Sequence, residues 1–391
     1  MPEVVIAAAV RTPFGRRNGG LSGMHSIDLL GAVQRAVIER AGLDPAAVGQ
    51  VITGCVGQVG MQAMNVGRNA WLAAGLPLEV PAVTIDAQCG SSNEATNLAY
   101  SVIASGGADA VIACGVEVMS RVTMGSTVPR EGNLGKPINK NYWAHHEFTT
   151  QFEGAERIAR QWGITRDDTD GFGKQSQDRA RAARDAGAFD AQLLPVDAPV
   201  LNEQGEVTGT ATISSDEGIR ETTLEKLATL KPTGGEGGVH TAATSSQISD
   251  GASAVLLMSA SAAAAAGITP LATIVDTAFV GSDPALMLTG PIPATQRLLS
   301  LNNLSMADID VVEINEAFAS VVLAWEQELK ADMDRVNPNG GAIALGHPLG
   351  ATGTGLITKA VYELVRGGGE HAIVTMCCGG GLGTGTLIRR S

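Results

Sequence analysis

Val83-Thr84-Ile85-Asp86-Ala87-Gln88-Cys89-Gly90-Ser91-Ser92-Asn93 joins two kinds of sequence. The β-formers Val83, Thr84 and Ile85 predict a strand. Beyond the turn, Ala95, Leu98, Ala99, Val102 and Ile103 recur with the period of one helix face. Cys89 therefore stands at a helix N-terminus. Unpaired N–H groups and the positive end of the helix dipole favour a thiolate there, so position alone predicts a partly activated nucleophile. A buried structural cysteine is the competing reading, since cysteine is among the residues most often buried.

The strand-turn-helix unit recurs. Leu43 to Val48 leads into Val51-Ile52 as Leu304 to Ile309 leads into Val311-Val312, an offset of 261 residues. Ser105 to Asp109 leads into Ala110 to Cys114 as Gly367 to His371 leads into Ala372 to Met376, an offset of 262. Each half opens on a strand, Val4 to Val10 and Leu271 to Val275, and carries a long helix, Ser26 to Ala41 and Gly350 to Arg366. This alternation predicts an α/β fold of two similar domains with mostly parallel sheets covered by helices. The first core domain is expected over 1–120 and 248–269, and the second over 270–391. The repeat is lost over 121–247, read as a loop domain that covers a site. That insertion contains helical stretches from Glu153 to Trp162 and from Asp168 to Ala186. Strand character returns from Asp250 to Ser259, with a short helix over Ala262 to Ala266.

The 391 residues can bury a large interior, and 44% apolar with 17% charged residues describes a globular α/β chain rather than a disordered one. A net charge of −13 without a basic run argues against nucleic acid as the main partner. No apolar run approaches membrane-spanning length, and Met1 to Ile6 enters a strand without a basic leader, so a cytoplasmic protein is expected. Five cysteines, Cys55, Cys89, Cys114, Cys377 and Cys378, are an odd number and argue against a disulfide framework. No metal is expected, because Cys377-Cys378 and His145-His146 are adjacent pairs without ligand spacing.

Three C-terminal stretches supply what a cysteine nucleophile needs. Val311 to Phe318 is a strand ending in the polar pair Asn315-Glu316, at the edge where α/β folds place ligands. Asn337 to Gly353 holds His347 between glycine and proline at a helix start, as for an imidazole with close backbone approach. Cys377-Cys378-Gly379-Gly380-Gly381 follows a buried strand and exposes N–H groups able to stabilise an oxyanion. A capping Asn, a structural His and a core Cys are the plain alternatives. All three together beside a helix-starting Cys89 are harder to dismiss. A dinucleotide site is the rival reading of the glycines, but neither Gly350-x-x-Gly353-x-Gly355 nor the Gly379 cluster fits G-x-G-x-x-G after a strand.

Taken in order, C-G-S-S, N-E-A-F, G-H-P and C-x-G-G-G resemble the thiolase family, and the likeness runs through essentially the whole chain. The resemblance implies a duplicated αβαβα layered fold with an inserted loop domain. It makes Cys89 the acyl-accepting nucleophile and His347 its activator, with Asn315 holding a water for one oxyanion. It makes Cys377, not Cys378, the general acid/base, and assigns backbone N–H groups of Cys89 and Gly379 to a second oxyanion. Ser246 corresponds to a pantetheine-contacting serine, Arg220 is a candidate for the nucleotide end, and Ala317 and Phe318 are further candidates for coenzyme A contact. Coenzyme A is then a co-substrate, no cofactor is tightly bound, and a homodimer or homotetramer is implied. Cys378 departs from the small apolar residue usual there.

The implied reaction is thiolysis of a 3-ketoacyl-CoA through an acyl-cysteine, which needs a soft nucleophile and an acid for the leaving carbanion. A decarboxylating condensing enzyme would pair its cysteine with two His, or His and Asn, and lack Cys377. A non-catalytic coenzyme A-binding homologue would not need the four residues. Within the family, Gln151-Phe152-Glu153-Gly154-Ala155-Glu156 stands where short-chain biosynthetic thiolases, which make acetoacetyl-CoA, place a Met-Gly block. The sequence looks closer to degradative enzymes, particularly those acting on steroid side chains. Gln151 and Phe152 are accordingly expected to border a wider acyl pocket, with Phe152 as mere core the alternative.

Overall fold

The apolar runs pair into one continuous sheet in the computed structural model, which describes residues 2–128 and 134–391. The first half comprises β1 (Val4–Arg11), a short β2 (Gly15–Arg16), α1 (Ser26–Ala41), β3 (Gln50–Gly54), α2 (Val66–Ala73), β4 (Ala82–Ile85), α3 (Ser91–Ala104) and β5 (Ala110–Val118). The insertion carries α4 (Lys140–Trp143), α5 (Gln151–Trp162), α6 (Arg166–Asp185), the hairpin β6 (Val196–Leu201) and β7 (Val207–Ile213), and α7 (Leu224–Ala228). The chain returns as β8 (Ser249–Ser259) and α8 (Ala260–Ala265). The second half runs β9 (Ala272–Gly281), α9 (Pro291–Leu301), β10 (Val311–Ile314), α10 (Ala319–Leu329), α11 (Ala342–Leu345), α12 (Thr352–Gly367), β11 (His371–Cys378) and β12 (Leu382–Arg390).

The strand order is β10-β11-β12-β9-β1-β8-β5-β3-β4. Read outward from the β1/β9 junction, both halves have the same topology: β8, β5 and β3 on one side match β12, β11 and β10 on the other. The match extends further. β4 lies parallel to β3 at Val51 and Ala82, and Val336 forms a parallel bridge to Val312 at the corresponding place. The second half thus keeps only a vestige of the strand that in the first half leads to Cys89.

The expectation of mostly parallel sheets is corrected. Between the strands described, parallel ladders join only β3 to β4 and β5, and β10 to β11, whereas β1, β8, β9 and β12 form antiparallel ladders with one another. The reason is local for β12, which follows β11 through only Gly379 to Gly381; so short a turn returns the chain antiparallel. Strands such as β5 and β8 are buried on both faces, so their sequences carry no alternation from which direction could be read.

Three apolar cores separate the layers. One gathers α1 and α2 against the outer face of the first half-sheet, and another gathers α9 and α10 against the second. The core between them joins residues of α3, α12 and strands of both halves, among them Ile103, Ala99, Ile357, Val361, Val255 and Val374. This is the expected αβαβα order. α3 and α12 approach so closely that a Cβ on Gly353 would lie 2.0 Å from the Asn93 backbone nitrogen, and Thr354 N donates to Ser92 Oγ at 3.0 Å.

Gly353→Ala should therefore lower stability by at least about 1–3 kcal/mol, the usual cost of overpacking, because backbone rather than a flexible side chain must move. Gly171→Ala is the control: it lies inside α6 with no heavy atom within 4 Å of its added Cβ. That change should be neutral or stabilising by up to about 1 kcal/mol, as for Gly to Ala in an exposed helix. Urea unfolding midpoints of the two variants measure the difference.

Candidate active site

Cys89 lies one residue before the N-cap of α3, in a turn built by its neighbours. Gln88 adopts φ 53, in the left-handed region, and Asp86 Oδ1 accepts from Gln88 N at 2.7 Å. Ser91 Oγ accepts from Ala87 N at 3.0 Å and donates to Gln88 O at 2.5 Å. These bonds hold a backbone form that a non-glycine residue seldom adopts. Gly90 is required by close approach: a Cβ there would come within 2.5 Å of Cys378 Sγ. The end of β11 thus abuts the Cys89 turn.

The four chemical residues meet behind that contact. Gly379 N–H near Cys89 and Asn315 near Cys377 each favour a thiolate, while ionising either thiol opposes ionisation of the other. Asn315 Nδ2 lies 3.5 Å from His347 Nε2, and its Oδ1 is buried without a partner. On the other side of the imidazole, His347 Nδ1 lies 2.6 Å from Thr352 Oγ1, whose own proton goes to Pro348 O at 3.0 Å. Thr352 can therefore only accept, so Nδ1 carries the proton and Nε2 presents its lone pair toward Asn315.

Burial decides the charge states. The Cys89 thiol is pushed up to about 11, burial outweighing the Gly379 hydrogen bond. Cys377 is pushed well above the ordinary thiol value by burial and then by Cys89. His347 is lowered to about 4 by burial. The expectation that helix position alone activates Cys89 is thus corrected: the stabilising N–H groups are present, but desolvation is larger. At neutral pH the resting site holds thiols and a neutral imidazole.

A cavity of about 670 Å³ opens in front of His347. Of the expected binding residues, Ser246, Arg220, Ala317, Phe318, Gln151 and Phe152 all line it. Phe152 is 39% exposed and meets Phe318 edge-on at 5.5 Å, so it is pocket wall rather than hidden core. Arg220 donates to Gln247 Oε1 at 2.7 Å on the exposed rim. Cys89, Cys377 and Asn315 are buried and Gly379 half-buried, and none of the four is in the cavity lining. Sequence reasoning missed Met119, Met124 and Leu349, also in the wall, and the exposed Arg16 and Arg17 at the rim. Thr352 was missed too, although its place five residues beyond His347 at the start of α12 was a usable signal. Among the described residues no His, Cys, Asp or Glu cluster is arranged to hold a metal, and no helix is long and apolar enough to cross a membrane.

Comparisons with known proteins agree in kind. Residues 4–261 match the family model for the thiolase N-terminal domain and residues 268–390 that for the thiolase C-terminal domain. The chain is 47% identical over 396 residues to a steroid 3-ketoacyl-CoA thiolase, FadA6, of Mycobacterium tuberculosis, covering 100% of this chain and 95% of that protein. It is 42% identical over 408 residues to a beta-ketoadipyl-CoA thiolase of Acinetobacter baylyi, covering 100% of each. The crystal structure of human mitochondrial 3-ketoacyl-CoA thiolase superimposes with a TM-score of 0.89 at 36% identity, over 100% of this chain and 99% of that one.

The charge states have a direct test. Cys89, at 9% exposure, is the most accessible of five otherwise fully buried cysteines and should be the first alkylated by iodoacetamide. With its pKa raised to about 11, the thiolate fraction and hence the alkylation rate should rise about tenfold per unit from pH 7 to pH 9. A rate already level at pH 7 would mean a preformed thiolate–imidazolium pair.

Proposed function

The chain belongs to the thiolase family, and on that premise we propose that it is an acyltransferase cleaving 3-ketoacyl-CoA with coenzyme A to acetyl-CoA and a shortened acyl-CoA. The supporting observation is the pairing of two buried thiols, Cys89 and Cys377, with Asn315 Nδ2 3.5 Å from His347 Nε2 and its side chain near Cys377. Cys89 Sγ adds to the C3 ketone as its proton passes to Nε2 of the neutral His347. The resulting oxyanion is met by that new N–H and by a water donating to the partnerless Asn315 Oδ1. The C2–C3 bond breaks, its electron pair stays on C2 of the departing acetyl-CoA, and Cys377 supplies the proton.

The second half reverses the proton flow. Cys377, now a thiolate, takes the proton of incoming coenzyme A, whose sulfur attacks the acyl-Cys89 carbonyl. Backbone N–H groups of Cys89 and Gly379 meet this oxyanion. Collapse releases the acyl-CoA, and Cys89 recovers its proton from His347. Ser246, Ala317 and Phe318 are assigned to pantetheine, and Arg220 on the rim to the nucleotide phosphates.

The 670 Å³ cavity with Phe152 in its wall favours degradation of medium-chain or steroid side-chain substrates over condensation of two acetyl groups. The segments 1–120 with 248–269 and 270–391 act as core domains, with 121–247 as the lid. A homodimer or homotetramer is supported by β4, which ends the sheet with no further strand beyond it among the described residues and exposes Val83. Free cysteines throughout suit a reducing cytoplasm.

Mass spectrometry of the intact protein after exposure to acyl-CoA tests the assignment. Cys89→Ala should form no acyl-enzyme. Cys377→Ala should acylate but not turn over, and Cys378→Ala should stay close to wild type. The reverse behaviour of Cys377 and Cys378 would overturn the assignment. His347→Ala should lose at least about 10²-fold in kcat, the typical effect of removing one oxyanion donor.

A further inference from the structure

The cavity in front of His347 does not end at its inner wall. Met119, Met124 and Leu349 line it and also line a second space of about 20 Å³ beneath the turn Val122 to Thr127. Two of these side chains are fixed. Met119 is 3% exposed and Leu349 9%, and both belong to the same apolar cluster as Cys89. The shared wall is therefore continuous with the apolar core that holds Cys89.

Met124 is different. It is 49% exposed, belongs to no buried apolar cluster, and accepts at its Sδ from Gln151 Nε2 at 3.5 Å. A thioether is a weak acceptor, and an unbranched side chain with three rotatable bonds repacks at little cost. We propose that Met124, latched by Gln151, is a movable gate at the far end of the acyl site. Short 3-ketoacyl groups leave it closed; longer or cyclic apolar groups displace it and join the two spaces. The proposal rests on the acyl-Cys89 reading and narrows it to a substrate class.

The lining of the second space selects an uncharged tail. Its carboxylate, Glu117, is 1% exposed and accepts from Val56 N, Gly57 N and Gly350 N at 3.0 Å and from Gln62 Nε2 at 2.6 Å. These donors are used up. The cations of the main cavity, Arg16, Arg17 and Arg220, are all exposed rather than among the buried inner residues. A tail ending in carboxylate would have no buried partner, whereas an alkyl or ring system would meet Met119, Leu349 and Val122.

Steady-state assays of the full chain decide it, with acetoacetyl-CoA, 3-ketodecanoyl-CoA, a ring-bearing 3-ketoacyl-CoA and 3-oxoadipyl-CoA against wild type and three variants. The kcat/KM ratio of 3-ketodecanoyl-CoA to acetoacetyl-CoA should rise about tenfold in Met124→Ala, rise about threefold in Gln151→Ala and fall about tenfold in Met124→Trp. The ring-bearing substrate should follow the same order. Ratios moving less than about twofold in all three variants, each with a wild-type unfolding midpoint, would overturn the gate. 3-Oxoadipyl-CoA turned over by wild type as well as 3-ketodecanoyl-CoA would overturn the uncharged-tail assignment. Failure of the acyl-Cys89 reading is separable, because no substrate would then leave an acyl mass on Cys89.

Discussion

The close approach of α3 and α12 is the constraint on which the remaining structure depends. Gly353 lies against the backbone of Asn93, and Ser92 accepts from Thr354 N, so the first turns of the two helices touch directly. Each helix belongs to a different half of a duplicated chain, and each is preceded by a turn carrying one reactive group. Cys89 precedes α3 and His347 precedes α12. Bringing the helix starts together thus builds one site from two halves, while the side chains behind them form the central core that joins both half-sheets. Stability and chemistry share this contact. A change that parts the helices separates the nucleophile from its base and opens the middle layer at once.

The same burial makes the site electrically quiet at rest. Thiols raised above their ordinary value and an imidazole lowered to about 4 hold no net charge at neutral pH. Charge arises only as bonds to the substrate form, where fixed donors already stand. The support for Asn315 is polar and buried too. Its neighbour Glu316 accepts from Ser176 Oγ at 2.6 Å, Asn337 Nδ2 at 2.8 Å and Ile343 N at 3.0 Å, tying α6 and the segment before His347 to the end of β10. Glu313 meets Lys359 at 2.7 Å in the same interior, both at most 2% exposed. Removing one partner of such a pair typically costs about 3–5 kcal/mol, so the frame around Asn315 is stiff.

Much of this was legible in the sequence, for identifiable reasons. α1 spans Ser26–Ala41 as its apolar period predicts, and it ends at Gly42, whose φ of 67 suits a left-handed C-cap. The duplicated offsets foretold two halves of like topology, and the motif blocks foretold residues that the fold brings together. Strand direction was hidden because sheets buried on both faces show no alternation. The thiol's charge state was hidden because helix position is a local property while desolvation depends on everything packed around it. Met119 and Met124 were passed over for the same reason: an apolar residue in a loop reveals its role only through what it faces.

Strand geometry also explains why one of two adjacent cysteines is singled out. Successive side chains of β11 point to opposite faces, so Cys377 and Cys378 cannot share an environment. Cys377 belongs to the apolar cluster of Phe318 and Ala317, residues of the cavity wall, and lies near Asn315. Cys378 points instead at Gly90, within the reach of a single Cβ, and its thiol donates to Met376 O at 3.8 Å. A small side chain at 378 therefore serves the close contact between β11 and the Cys89 turn. Sulfur there is accommodated because Gly90 has no side chain, and the two glycine and cysteine positions constrain each other: enlarging either would push the Cys89 elbow away from Gly379.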